Sequence, residues 1–360
     1  MENSNTSDWE LYNDVSGIME IRDWGYKEGF LCFHGRLKVP SAQAFRLIYS
    51  RAKLYGLLPY LASDREGVIL KLTPARMKKR KDKILIQIAL FVLTVMSTLI
   101  AWAWVDEYTL KEIISRPGVL LKGIPFTVSL LIILGLHELS HYAVSLRYGI
   151  KVSLPYFIPF PNILGTMGAV IVGRSPFPDR KSLFDVGIAG PLASFILSLI
   201  VLIIGLQGSK IVPPVITSRT FFIGSSLLYD FICWIKFPHI PYGYTYSITP
   251  MMFAGWVGFF VTALNLLPIG QLDGGHISYA LFGRYHKLIT RFVIVLLVIF
   301  GVLYFSPIWI VIGLFVLVMG ATHGPPLDDI TPLNPGRIWL AVSALIILII
   351  CFIPVPIQMI

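Results

Sequence analysis

Polar and apolar residues intermix through the first eighty positions, and from Ile84 onward long apolar runs take over. In the first region, 29–37 has strand character. Residues 42–55 place Ala44, Leu47, Ile48 and Leu54 at helical spacing, and 57–62 and 67–72 again read as short strands. These elements predict a small α+β soluble module over 1–80, too small to bury a large core and expected to lean on the remainder of the chain. Beyond it, apolar segments lie at 84–104, 123–146, 186–206, 251–267, 289–304, 309–320 and 338–353. A helix of roughly 20 apolar residues crosses a bilayer, so the pattern predicts an α-helical multi-pass membrane protein with about seven spanning helices. Segment 221–235 is apolar as well but carries Asp230, and is expected outside the bilayer or at its surface.

Composition supports the membrane reading. Hydrophobic residues make up 55% of the 360 and charged residues 14%, with a mean hydropathy of +0.73. A water-soluble enzyme of this size could not hide so much apolar surface, and disordered or collagen-like chains are excluded too. The net charge of +10 is concentrated at Arg76, Lys78, Lys79, Arg80, Lys81 and Lys83, directly before the first apolar run. Such a cluster orients a spanning helix and meets anionic lipid headgroups; no nucleic-acid partner is expected. It predicts a cytoplasmic N-terminal module. Arg147, Lys151, Arg174, Arg180 and Lys181 then fall on the cytoplasmic side, as do Arg284, Lys287 and Arg291. Cys32, Cys233 and Cys351 are odd in number and far apart, which argues against a disulfide framework or a thiolate metal cluster.

The chemistry concentrates in the second apolar segment, which reads His137-Glu138-Leu139-Ser140-His141. On an α-helix two histidines four apart share a face, about 6 Å apart along the axis, so both imidazoles can reach one ion. Glu138 is offset to the side, where it can accept a proton from an activated water. Ionisable groups inside an apolar helix are costly and mark function by default; the bland alternative is a polar face that hydrogen-bonds neighbouring helices. A catalytic zinc takes a third protein ligand. Asp273 is the candidate, at the end of a stretch from Asn265 in which Pro268, Gly270, Gly274 and Gly275 interrupt regular helix. Alone, an Asp-Gly pair reads as a turn; beside an H-E-x-x-H at the same depth the ligand reading is the stronger. Asn265 can donate to a carbonyl oxygen that gains charge, or else serve as interhelical glue.

Between the second and third segments, 155–170 is apolar yet holds Pro155, Pro159 and Pro161, which exclude a long helix. A re-entrant, β-like hairpin from the cytoplasmic side fits better. Its strand edge, with Gly165, Thr166, Met167, Gly168 and Ala169, could pair with an unwound substrate, since a helical peptide bond is shielded until extended.

Together these motifs resemble the site-2 protease family of zinc intramembrane metalloproteases. The resemblance rests on His137–His141, Gly165-x-x-Gly168, Ala189-Gly190-Pro191, and Asn265-x-x-Pro268 followed by Leu272-Asp273-Gly274. Residues 164–170, Pro178-Asp179-Arg180 and Asp185 are similar to the EGY-type plastid members and their prokaryotic relatives. The resemblance implies one zinc held by His137, His141 and Asp273, Glu138 as general base and Asn265 as an active-site polar residue. It also implies a transmembrane protein or peptide as substrate. The chain then divides into the module (1–80), a protease core (84–275) and additional C-terminal transmembrane helices (276–360). Two rival classes remain: a catalytically silent scaffold or chaperone that binds helices at the same groove, and a metal transporter, for which the internal repeat is missing.

Overall fold

The computed structural model describes residues 3–64, 66–75, 83–214, 221–319 and 324–359. Most of the basic run before Ile84 therefore lies outside the described residues, as does Gly320 at the end of the sixth apolar segment.

The N-terminal module comprises α1 (Asn3–Ser16), β1 (Met19–Lys27), β2 (Phe30–Leu37), α2 (Ser41–Leu54), β3 (Leu57–Asp64) and β4 (Gly67–Pro74). Its four strands form one antiparallel sheet in the order β1-β2-β4-β3, with Leu70 facing both Phe33 and Leu61. The two helices bury Leu11, Val15, Phe45 and Ile48 with these residues. The sequence pattern missed α1 and β1, which commit few side chains to the core.

One residue of that core comes from far along the chain: Leu327 packs into it, with Ile330 against it. The segment 327–331 acts as a strap. Leu61 on β3 donates its N–H to Leu327 O at 2.7 Å and accepts from Asp329 N at 2.9 Å, while Leu327 N and Asp328 N donate to Phe177 O and Pro178 O. Asp329 accepts from Arg180 Nε at 2.9 Å and from the Tyr279 hydroxyl at 3.0 Å. Asp328 is buried, which pushes its carboxyl up; the N–H groups of Ile330 and Thr331 donate to it. The expected leaning of the module has a concrete form: two backbone hydrogen bonds to a strap that also grips the rest of the molecule.

Helix α3 (Ile84–Val105) runs 22 predominantly apolar residues, about 33 Å at 1.5 Å per residue. After it come the short α4 (Leu110–Ser115), started by a Thr109–Glu112 capping box, and a 3-10 turn (Pro117–Gly123) leading into α5 (Ile124–Arg147). A hairpin of β5 (Tyr156–Pro159) and β6 (Thr166–Val170) precedes α6 (Arg180–Gln207), whose start is fixed by an Asp179–Ser182 capping box. Then β7 (Ile211–Val212), β8 (Phe221–Ile223), α7 (Leu227–Lys236) and β9 (Thr245–Tyr246) lead to α8 (Pro250–Leu266). With 10 residues, α7 is about 15 Å long and too short to span. The chain continues through α9 (Asp273–Phe282), α10 (His286–Leu303), α11 (Pro307–Met319), α12 (Pro335–Cys351) and β10 (Ile357–Met359).

Among the described residues, four helical stretches are long and apolar enough to cross a membrane: Ile84–Val105, Pro117–Arg147, Arg180–Gln207 and Asp273–Leu303. Pro250–Leu266 and Pro335–Cys351 are apolar but shorter. Helices α6 and α8 approach through small residues. A Cβ added to Gly205 would lie 2.4 Å from Met252 N, and one on Gly258 would meet Ser198. Small-residue packing lets helix backbones close without a hydrophobic driving force, and it brings the end of α8 to the level of the α5 histidines.

The hairpin forms as an antiparallel β5–β6 pair. Tyr156 pairs with Val170 and Phe157 with Ala169. Its turn packs on α3, where Ser97 Oγ donates to Gly165 O at 2.5 Å, and Phe91 meets Phe157 edge-on at 5.1 Å. Ser97 sits about 20 Å along α3 from its first residue, so the turn reaches well down the helix. Gly165 has φ +73°, and a Cβ there would lie 2.5 Å from both Ser97 O and Thr98 Cα. Gly165→Ala should therefore shift the hairpin off α3 and cost roughly 1–3 kcal/mol from strain and overpacking. A thermal melt of the purified protein checks this; an unchanged midpoint would contradict the contact.

The break after α8 corrects one reading of the glycines. Gly274 and Gly275 do not interrupt a helix; they are the second and third residues of α9, and the irregular backbone is confined to 267–272. A Cβ on Gly274 would sit 2.1 Å from Leu266 O, and one on Gly275 would sit 2.3 Å from Gly270 O. They are glycine because the broken segment folds back onto the first turn of α9.

Candidate metal centre

Helix α5 carries His137 and His141 on one buried face, and the first residue of α9, Asp273, comes to meet them. His137 Nε2 and His141 Nε2 are 3.1 Å apart. The two carboxylate oxygens of Asp273 divide between them, Oδ2 at 3.2 Å from His137 Nε2 and Oδ1 at 3.3 Å from His141 Nε2. One ligand atom from each residue falls within 4.8 Å of the others.

The far side of each ring shows why these nitrogens converge. His141 Nδ1 lies 2.7 Å from Val186 O, a carbonyl that can only accept, so Nδ1 carries the proton and Nε2 presents its lone pair. His137 Nδ1 is 3.1 Å from Ser194 Oγ, which is 2.9 Å from Thr262 Oγ1; Thr262 in turn donates to Gly258 O at 2.7 Å. With Thr262's proton committed, Ser194 gives its own proton to Thr262 or to Pro191 O at 3.2 Å, and in either case accepts from His137 Nδ1–H. Both Nε2 atoms are thus left as acceptors aimed at the same point, the state a histidine needs to ligate a metal. Two nitrogens and a carboxylate oxygen make a donor set suited to a zinc-sized cation. Nothing between Gly190 and the rings blocks that point: a Cβ on Gly190 would lie 2.2 Å from His141 Nε2 and 2.8 Å from His137 Nε2.

The centre opens on a cavity of about 370 Å³. Glu138 lines it beside the two histidines, and Asn265, in the last turn of α8, places Nδ2 3.2 Å from His137 Nε2. All five polar residues singled out from the sequence, His137, Glu138, His141, Asn265 and Asp273, therefore share one chamber. The hairpin residues divide. Ala169 lines the cavity with Val170, Ile171 and Gly173, but Gly165 packs on α3 and Thr166 turns inward, donating to Ile158 O at 2.8 Å. Met167 is exposed, and Gly168 donates its N–H to Thr166 Oγ1. The wall facing the centre is thus 169–173, further along the chain than the segment expected. Val172 O accepts from Ser153 N, and Arg174 N donates to Lys151 O. Beyond β6, Val172 and Arg174 thus turn backbone groups to 151–153, while Ile171 and Gly173 line the cavity.

At the rim, Arg337 on α12 makes a two-point contact with Asp185, Nε to Oδ1 at 2.8 Å and Nη2 to Oδ2 at 2.6 Å. The Tyr148 hydroxyl donates to the same carboxylate, and burial together with that bond pushes it up to about 12.

The profile of Peptidase family M50 matches residues 125–306. The chain belongs to peptidase family M50. The M50 match runs from the first turn of α5 through α10 and takes in every residue of the centre. Among relatives, the probable zinc metalloprotease EGY1 of Arabidopsis thaliana is 34% identical over 245 residues, 65% of this chain and 43% of that protein. The probable zinc metalloprotease EGY2 of the same plant is 30% identical over 243 residues, 65% of this chain and 42% of that one. The chain thus spans less than half the length of these M50 relatives. A solved site-2 protease from Methanocaldococcus jannaschii aligns over 66% of this chain and 89% of its own, at 19% identity and a TM-score of 0.35.

The sequence alone did not expose Ser194, Thr262, Val186 or His276. One signal was available: Gly190, Ser194 and Ser198 recur every four residues, a small-residue face on α6.

Proposed function

We propose that this chain is a membrane-embedded zinc metalloprotease that hydrolyses a peptide bond in or beside a transmembrane segment of a membrane-protein substrate. The observation that carries this reading is the convergence of His137, His141 and Asp273 beside Glu138 and Asn265 in one cavity. His137, His141 and Asp273 would hold the zinc, which when bound lowers the pKa of water and polarises a carbonyl. Glu138 takes the proton of the attacking water and returns it to the departing amine. The Asn265 amide, whose Nδ2 lies 3.2 Å from His137 Nε2, would donate to the substrate's carbonyl oxygen.

The substrate reaches this chamber extended, its backbone adding to the cavity-facing edge at Ile171 and Gly173, with Gly165–Ala169 holding the hairpin against α3. The hairpin is proposed to enter the membrane from the cytoplasmic side, where the N-terminal module also lies, in a chain of about seven spanning segments. The division into a module (1–80), a catalytic core (84–275) and C-terminal helices (276–360) belongs to the same proposal, as does a place in regulated proteolysis.

Metal analysis of the purified, detergent-solubilised protein should find one zinc per chain. Removal with 1,10-phenanthroline should abolish cleavage of a transmembrane peptide, and added zinc should restore it. Cleavage that persists without metal would overturn the reading. Bound zinc with no cleavage of any transmembrane peptide would favour a helix-binding scaffold.

A further inference from the structure

Resting on His137, His141 and Asp273 as the zinc ligands, we infer that Arg337 of α12 is a positioning residue for the metal centre. It acts through Asp185 on the turn of α6 that abuts all three ligands. Arg337 lies beyond residues 125–306, so the family match does not bear on it.

The turn 186–190 of α6 meets every ligand residue. Val186 O accepts from His141 Nδ1 at 2.7 Å. A Cβ on Gly190 would lie 2.2 Å from His141 Nε2 and 2.8 Å from His137 Nε2, and one on Gly187 would lie 3.1 Å from Asp273 O. The turn therefore sits as close to the centre as glycine allows. In a packed interior a displacement is passed on to what it touches, so where this turn rests decides how the ligands are aimed.

A clamp holds the turn from its other side. Asp185 directly precedes Val186 and, with Ile188 and Ala189, lines a separate cavity of about 580 Å³ beside α5 and α12. There Arg337 contacts the Asp185 carboxylate at two points, 2.8 and 2.6 Å, a geometry that fixes direction as well as distance. Arg337 Nη2 also donates to the Tyr148 hydroxyl at 3.3 Å, and that hydroxyl donates to Asp185. The remaining nitrogen, Nη1, donates to Oδ1 of Asn334, the N-cap of α12, at 3.0 Å. Every nitrogen of the guanidinium is thus engaged, and the ion pair is largely shielded from solvent. Tyr148 follows His141 by seven residues at the end of α5. Helix α5 is therefore tied to adjacent residues of α6 twice, by His141 to Val186 O and by Tyr148 to Asp185, and Arg337 locks the second tie to α12. Without the guanidinium that lock is lost, and the Val186 carbonyl that orients His141 is held less firmly.

Full-length Arg337→Met keeps the length of the side chain but neither its charge nor its donors. Its zinc dissociation constant, read by competition with a chromogenic chelator, should rise by about tenfold, the lower end of the cost of removing groups that orient ligands. Arg337→Lys should recover only part of this, because an ammonium is a point charge and makes no two-point contact. Asp185→Asn should weaken zinc likewise, and the double variant should cost no more than the worse single one, since the two residues act as a unit. Arg147→Met is the control at wild-type affinity: Arg147 lines the same cavity, yet its side chain makes no hydrogen bond or ion pair among the described residues. The absorption spectrum of the cobalt-substituted protein, which reports ligand geometry, should shift in Arg337→Met and Asp185→Asn and not in the control. A clamp that only stabilised the fold would lower the melting temperature and leave both affinity and spectrum as in wild type. That result in a folded variant would overturn the assignment while leaving the zinc reading intact. Should Arg337→Met fail a size-exclusion check, Asp185→Asn and Arg337→Lys, which keep size and charge respectively, decide the matter. A wild-type chain that binds no zinc would overturn the reading of the centre itself.

Discussion

Replacing Glu138 by glutamine should lower kcat by about 100- to 10,000-fold, the range expected when a positioned acid–base group is removed, with one zinc per chain still bound. The two halves of this expectation come from different observations. Zinc should stay because the carboxylate is not among the three ligand atoms that converge. Turnover should fall because Glu138 lines the same cavity as the two histidines, where water must lose a proton. Glutamine keeps the size and one acceptor of glutamate but cannot accept the proton. A carboxylate in an apolar helix costs a few kcal/mol to bury, so the neutral variant should also fold at least as stably. The measurement is single-turnover cleavage of a transmembrane peptide alongside metal content. Wild-type turnover in a zinc-loaded variant would remove Glu138 from the mechanism.

The second large effect is expected from a single methyl group. In Gly190→Ala the new Cβ would lie 2.2 Å from His141 Nε2 and 2.8 Å from His137 Nε2. Neither ring can yield cheaply, because His141 is tied to Val186 O at 2.7 Å and His137 to Ser194 Oγ at 3.1 Å. The methyl group also intrudes on the space a metal would use. Zinc affinity should fall by about 100-fold or more, at or beyond the upper range seen when the partners that orient ligands are removed, and activity should fall with it. Gly336→Ala on α12 is the control, since nothing lies within 4 Å of the added Cβ. Competition titration with a chromogenic chelator measures both. A Gly190→Ala protein that binds zinc as tightly as the control would show that the rings are not held as the structure places them.

What could be read in advance follows from how far along the chain each interaction reaches. His137, Glu138 and His141 are legible because a helix turns local spacing into a shared face. Asp273 was reachable because broken backbone in an apolar stretch demands an explanation, and a nearby pair of histidines offers one. The role of Gly274 and Gly275 was misread for the converse reason. Composition marks glycine as a breaker, whereas here it permits a close contact with Leu266 O and Gly270 O that only tertiary structure reveals. The Ser194–Thr262 pair, His276 against Phe177, and the strap all join residues distant in sequence, and no local periodicity encodes them. The α1 and β1 elements escaped because Leu11, Val15 and Met19 are spaced among charged and polar neighbours.

The strap also sets an order of events. Ribosomes deliver the chain from its amino end, so the N-terminal sheet is made first, but Leu61 cannot gain its partners until Leu327 and Asp329 have been synthesised. Phe177, whose ring abuts His276, waits for the same residues. A nascent chain therefore carries His137 and His141 well before Phe177, on the wall of their cavity, gains the partner that fixes its backbone.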